Sequence, residues 1–264
     1  MKLTILGCTG SMSGPTSPSS SYLLQAQGLD DDGKPREYSL VMDLGSGAMG
    51  QMLAHLDPAR LDAVLFSHLH ADHCVDIVGL HVYRKWHPNG RLPQIPVYGP
   101  GDVRSRTRAI DGGEPDNQYT AFDFVDVQPG SSFDVGPMHI EVFEAYHTIP
   151  AVAFRVTGPS EDPDKGDVVL TYSGDTDVCE GVAQAARNVD FFLCEAAFED
   201  GRDPYRGVHL NGQRAGELAA GANVSRLVLT HLQPWTDPEI VMAHAAKEYS
   251  GDISCARAGE VYEV

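Results

Sequence analysis

Apolar positions along this chain fall into short runs broken by turn residues, and the spacing within the runs changes from one part to the next. Continuous or alternating apolar stretches predict β-strands at residues 2–6, 21–25, 38–43, 63–67, 97–98, 121–127 and 139–146. Further strands are predicted at 151–156, 168–172, 190–195, 226–230 and 260–264. The spacing of a one-sided helix appears instead at 47–55, 77–86, 178–187, 213–222 and 238–249. Asp237-Pro238-Glu239 is a start signal for the last of these, a capping side chain ahead of a proline in the first helical position. Hairpins dominate the first part and strand–helix alternation resumes later. No linker rich in Pro, Gly or Ser divides the chain, so one α/β domain over 1–264 is expected, a layered αββα sandwich. Residues 28–36 and 159–166 are polar and turn-rich, as exposed hairpin tips would be. Gly7-Cys8-Thr9-Gly10-Ser11 looks like a phosphate-cradling turn, but Pro15 and Pro18 follow where a nucleotide fold needs a helix. Its glycines are read as tight-turn residues near a pocket.

Composition narrows the classes. The 264 residues carry a formal net charge of −18, which argues against a surface that tracks long nucleic acids. A small phosphorylated substrate stays open, because two bound divalent cations would bring about four positive charges to one spot. Five cysteines, odd in number and without a C-x-x-C pair, fit a reducing cytoplasm better than a disulfide framework. The opening apolar stretch is too short for a signal peptide and no run approaches a membrane span, so a soluble cytoplasmic protein without a membrane partner is expected.

Chemistry concentrates in Ser67-His68-Leu69-His70-Ala71-Asp72-His73-Cys74, which follows an apolar strand. Imidazole and carboxylate suit zinc and other first-row divalent ions. His68 and His70 are two apart, so an extended backbone turns both to one side. Asp72 and His73 fall where the strand gives way to a loop and helix, and can point elsewhere. That geometry suits two adjacent metals better than one. Later strand ends offer His147, Asp175 and His231, at the edge where α/β folds gather their active-site groups.

The stretch His68-Leu69-His70-Ala71-Asp72-His73, with His147, Asp175 and His231 downstream, resembles the metallo-β-lactamase superfamily from first strand to last. The resemblance implies two mixed sheets flanked by helices and a dinuclear site at their edge. It implies His68, His70 and His147 on one metal, Asp72, His73 and His231 on the other, and Asp175 bridging both. Asp43 matches an early aspartate that orients a ligand; read from the residues alone, it is as well a strand-end turn former.

Two features point to a branch. His209-Leu210-Asn211-Gly212-Gln213-Arg214 is similar to the histidine-led helix start of tRNase Z-like phosphodiesterases, and Thr230-His231-Leu232-Gln233-Pro234-Trp235 to their final motif. The stretch at 158–166, where those enzymes carry a basic RNA-gripping arm, is short and acidic here. The whole pattern resembles actinobacterial cyclic-nucleotide phosphodiesterases of this fold, which implies hydrolysis of 3′,5′-cyclic AMP, or a close relative, to 5′-AMP by a metal-bridging hydroxide. Zn2+ is the default ion, and Mn2+ or Fe2+ suits the same ligands. Asp72 could take the water's proton, and His209 is the candidate acid for the leaving oxygen. Glu195 either bonds His209 or faces solvent. Trp86, Trp235, Phe198 and Tyr205 are candidates for stacking on a base, with rim or core packing the commoner role. Arg104-Ser105-Arg106-Thr107-Arg108 reads as a solvated helix face. The alternatives are a tRNase Z-like endoribonuclease, a carboxyl-ester or lactone hydrolase of the same fold, and a non-catalytic binding module. Relatives of this kind are often homodimers.

Overall fold

The computed structural model describes residues 1–112 and 120–264. Its strands form two seven-stranded sheets, each built by the same plan. In the first sheet, antiparallel hairpin strands β1 (Lys2–Gly7), β2 (Ser21–Leu29) and β3 (Pro35–Met42) lead into parallel strands β4 (Ala63–Leu65), β5 (Ile95–Gly99) and β6 (Phe122–Asp126). In the second, β7 (Ser132–Val135), β8 (Met138–Ala145), β9 (Ala151–Pro159) and β10 (Asp167–Tyr172) are antiparallel. Parallel strands β11 (Phe191–Glu195), β12 (Arg226–Thr230) and β13 (Asp252–Cys255) follow. The final strand, β14 (Val261–Glu263), returns to pair with β1.

Parallel neighbours need crossovers, and helices supply them. α1 (Ala48–His55), α2 (Ala71–Cys74), α3 (Ile77–Lys85) and α4 (Val103–Ile110) serve the first sheet. α5 (Glu180–Ala185), α6 (Gly212–Gly221) and α7 (Pro238–Ala245) serve the second. The start of α7 is as the sequence predicts, with Asp237 accepting from the Glu239 amide and Pro238 in the first turn.

Side chains alternate along the inner strands, and the central core lies between the sheets, where the Tyr22 and Tyr172 rings meet at 4.8 Å. A second cluster, with Met52, Leu80 and Phe66, lies between the first sheet and its helices; a third, with Phe192, Leu218 and Val241, covers the second sheet. The result is the αββα sandwich expected from the sequence. Strands β7 and β13 alternate over only four residues each, too short a span to stand out, and neither they nor helix α4, whose 104–108 run reads as a solvated helix face, were among the elements predicted from periodicity. The tips expected at 28–36 and 159–166 join β2 to β3 and β9 to β10, with residues 31–36 and 161–167 exposed. No helix among the described residues is long and apolar enough to cross a membrane.

Candidate metal centre

The candidate residues sit where strands end. Asp43 follows β3, His68 and His70 follow β4, and Asp72 and His73 lie in α2. His147 comes just after β8, Asp175 after β10 and His231 immediately after β12. Parallel strands pointing the same way bring most of these to one edge of the sandwich.

Three ring nitrogens converge. His70 Nδ1 lies 3.0 Å from His68 Nε2 and 3.1 Å from His147 Nε2. A neutral imidazole has one donor and one acceptor nitrogen, so three such atoms facing one another suit a shared cation better than mutual hydrogen bonds. Their far sides are anchored: His68 Nδ1 lies 3.1 Å from Ser67 Oγ, and His147 Nδ1 donates to the Val208 carbonyl at 2.7 Å. Burial pushes His68 well below the usual imidazole range, which keeps its ring nitrogen free to bind a cation.

A second group adjoins the first. His73 Nε2 lies 3.4 Å from Asp72 Oδ2 and 3.2 Å from Asp175 Oδ2; for His231 Nε2 the distances are 3.8 and 3.3 Å. Asp175 Oδ2 is also 3.6 Å from His68 Nε2, so this carboxylate stands between the two groups. Burial alone would raise the Asp175 pKa, but His231, His73 and His68 hold it well below the ordinary carboxylate range. Three buried atoms here, His73 Nε2, His231 Nε2 and Asp175 Oδ1, make no hydrogen bond. Orphaned polar atoms of this kind are costly, and several aimed at one another mark a place for a cation. The donor set therefore fits divalent metal: His68, His70 and His147 lie together, as do Asp72, His73, Asp175 and His231, and His147, Asp175 and His209 form a third, overlapping set.

The orienting contacts run deeper than the sequence suggested. Asp43 is fully buried at φ 57°, and its carboxylate accepts from the Ser67 amide, Ser67 Oγ, His73 Nδ1 and the Tyr172 hydroxyl, each at 2.7 Å. Both of its sequence readings have a counterpart here: it turns the chain left-handed at the end of β3, and it holds the His73 ring. His231, also left-handed at φ 58°, has its Nδ1 2.8 Å from Ser20 Oγ, and Tyr22 extends that chain from Ser20 to Thr230. The orienting parts of Ser20, Tyr22, Ser67 and Tyr172 escaped sequence reading because single hydroxyls in or beside apolar strands have no distinctive spacing. Gly10 and Gly45 owe their place to close approach: a Cβ on Gly10 would sit 2.1 Å from the His231 carbonyl oxygen, and one on Gly45 2.0 Å from that of Asp72.

His209 lies beside both groups, 8% exposed, its Nδ1 3.0 Å from Glu195 Oε1 and 3.8 Å from Asp175 Oδ2. Glu195 is fully buried rather than solvent-facing; it also accepts from the Thr176 amide at 2.9 Å and the Ala197 amide at 3.0 Å. Burial works against a proton on His209, yet the Glu195 charge outweighs it and lifts the imidazole to about 9. Phe198 packs edge-on to His209 at 5.0 Å and reaches Tyr205, which is exposed, at 6.1 Å. Trp235 is exposed too, and Trp86, at the end of α3, has Lys85 over its ring. Helix α4 does present Arg104, which stacks on Phe124, but Arg106 turns inward and donates to the Leu69 carbonyl at 3.0 Å, bracing the loop between His68 and His70.

The family described as "Beta-lactamase superfamily domain" matches residues 39–232. An uncharacterized protein of Mycobacterium tuberculosis is 39% identical over 267 residues, covering 100% of this chain and 92% of that one. The probable metallo-hydrolase YhfI of Bacillus subtilis is 25% identical over 271 residues, covering both chains fully. The crystal structure of YhfI matches with a TM-score of 0.81, over 100% of this chain and 98% of that one. Ribonuclease Z of Myxococcus xanthus is 27% identical over 277 residues, covering 85% of this chain and 88% of its own.

Proposed function

The chain belongs to the β-lactamase superfamily as a metallo-hydrolase, and within it we propose a phosphodiesterase that hydrolyses a small 3′,5′-cyclic nucleotide, cyclic AMP or a close relative, to the 5′-monophosphate. The observation that carries this reading is the buried His209–Glu195 pair beside the two ligand groups. A sugar 3′-oxygen leaving phosphorus as an alkoxide needs a proton, and a buried imidazole held against Glu195 can supply it.

In this reading His68, His70 and His147 hold one divalent ion, Asp72, His73 and His231 another, and Asp175 lies between them, with Zn2+ the default. Bound there, the ions would supply an activated water at neutral pH and offset charge on the phosphoryl oxygens. Asp72 would accept the proton of the attacking water. His209, carrying a proton fixed against Glu195, gives one to the 3′-oxygen as its bond to phosphorus breaks. The buried pair keeps bulk water from competing for that proton. The small-substrate side of the proposal rests on charge: a net −18 and an exposed acidic tip at 161–164 repel an RNA backbone.

The test is chromatographic product analysis with protein of known metal content, offered cyclic AMP, precursor tRNA and a carboxyl ester. Formation of 5′-AMP supports the proposal, and His209→Ala should then lower kcat by about 10²–10⁴-fold with metal content unchanged. Cleavage of precursor tRNA alone would turn the reading to an endoribonuclease, as the likeness to ribonuclease Z allows. Turnover of the ester alone would refute phosphodiester chemistry.

A further inference from the structure

One ion-pair network lies outside the ligand groups and outside the His209–Glu195 pair, yet bonds the chain close to both. Asp177, 2% exposed, follows two residues after Asp175 and accepts from the Gly207 amide at 2.7 Å and the Val178 amide at 2.8 Å. Arg214, 6% exposed and on the first turn of α6, donates through Nη1 to Oδ1, the oxygen that also accepts the Val178 amide. Arg214 also donates through Nε to Asn211 Oδ1 at 3.0 Å, and that same oxygen caps the helix by accepting the Arg214 amide at 3.0 Å. Arg206 completes the set, with Nε 3.0 Å from Asp177 Oδ2. The Asp177 amide in turn donates to the Tyr146 carbonyl at 2.8 Å, next to His147.

What this network grips is the segment 206–209. Gly207 in that segment has φ 76°, so the chain turns sharply there and nothing in the local conformation alone would hold it. The next carbonyl, Val208, accepts from His147 Nδ1 at 2.7 Å and so sets which way the His147 ring turns its Nε2. The residue after that is His209. A shift of this segment therefore moves an orienting acceptor for a cation ligand and the proton donor together.

We propose that the buried Asp177–Arg214 pair is a positioning device that fixes segment 206–209, coupling the orientation of His147 to the placement of His209. The proposal rests on the reading that His68, His70 and His147 hold a divalent ion, and it does not depend on which ester is cleaved. Neither residue touches substrate or metal in this account; both act through the Gly207 amide and the Asn211 cap.

Removing one charge alone leaves the other buried and unpaired, so Arg214→Ala could unfold the protein without testing anything. Asp177→Asn keeps the size but turns one acceptor oxygen into a donor NH2 and leaves Arg214 unpaired, so it is measured beside the double variant Asp177→Asn with Arg214→Gln, which removes both charges at once. Metal-free protein is titrated with Co2+, following the visible absorption of the bound ion and the binding isotherm. The expected result is a changed ligand-field spectrum with affinity about tenfold weaker for one equivalent of Co2+, the other equivalent being unaffected. The double variant should show the same spectral change even if its melting temperature returns to the wild-type value. Arg226→Gln, which breaks the exposed Arg226–Asp252 pair at the far end of β12, is the control and should leave the spectrum unaltered. A lowered melting temperature with wild-type Co2+ spectrum and affinity in both Asp177 variants would overturn the proposal and make the pair a stabilising contact only. If wild-type protein bound no Co2+, the metal reading would fall first, and the titration separates that failure from this one.

Discussion

Replacing Asp43 with asparagine tests how the buried carboxylate governs a cation ligand it never touches. The backbone should not object, since asparagine tolerates the left-handed φ of 57° that this position requires. The Ser67 amide cannot rotate, so the carbonyl oxygen of the new side chain takes the place of Oδ1 and its NH2 group takes that of Oδ2. In the native protein Oδ2 accepts three hydrogen bonds, from Ser67 Oγ, His73 Nδ1 and Tyr172. Both hydroxyls can turn and accept instead. His73 can do so only by moving its proton from Nδ1 to Nε2, which is the nitrogen facing Asp72 and Asp175. A protonated Nε2 cannot bind a cation, so one metal should bind about 10–100-fold more weakly, or about 1.4–2.8 kcal/mol. Zinc competition against a colorimetric chelator measures the affinity, and nitrogen NMR of the His73 ring reports its tautomer. Wild-type affinity for every equivalent of zinc, or an unchanged tautomer, would refute the argument.

Other outcomes follow from the same structure. Chelation should lower the melting temperature: an ion held at about a thousand times its Kd adds about 4 kcal/mol, or about 10 °C in a chain of this size, and identical melts with and without chelator would sink the metal centre. Gly45→Ala places a Cβ 2.0 Å from the Asp72 carbonyl oxygen and should displace the turn that carries Asp72 and His73. Its check is loss of metal binding, with destabilisation of about 1–3 kcal/mol in a denaturant melt. Burial pushes the Cys255 thiol up to about 12, aided by the nearby Glu239 charge. At pH 8.5, where an ordinary cysteine is about half thiolate, Cys255 should resist alkylation in folded protein, and rapid labelling as read by peptide mass spectrometry would contradict it.

Much of this architecture was legible one residue at a time. Inner strands such as β11 and β12 carry continuous apolar runs, Phe191–Cys194 and Leu227–Leu229, because both faces are covered, and such runs declare themselves. β7 and β13 did not, being short and only partly buried, and of α4 only the arginine-bearing face at 104–108 was read. The ligand residues stood out because His and Asp crowded at a strand end serve no packing purpose. Their partition into two groups was readable in part from the two-residue repeat that turns His68 and His70 to one side.

The sequence by itself determined the fold class, the edge where the chemistry gathers and the residue types that gather there. Tertiary structure decided what turns each ring. That Asp43 rather than solvent holds His73, that Ser20 lies at His231, that Val208 offers its carbonyl to His147 and that Glu195 is buried against His209 are contacts between segments that the sequence pattern does not link. Their residue types are ordinary and their spacing carries no period. A strand's own pattern records only which face is buried. Which hydroxyl or carbonyl meets which imidazole depends on how two sheets stack and where their loops cross, and that is settled only when the sandwich closes.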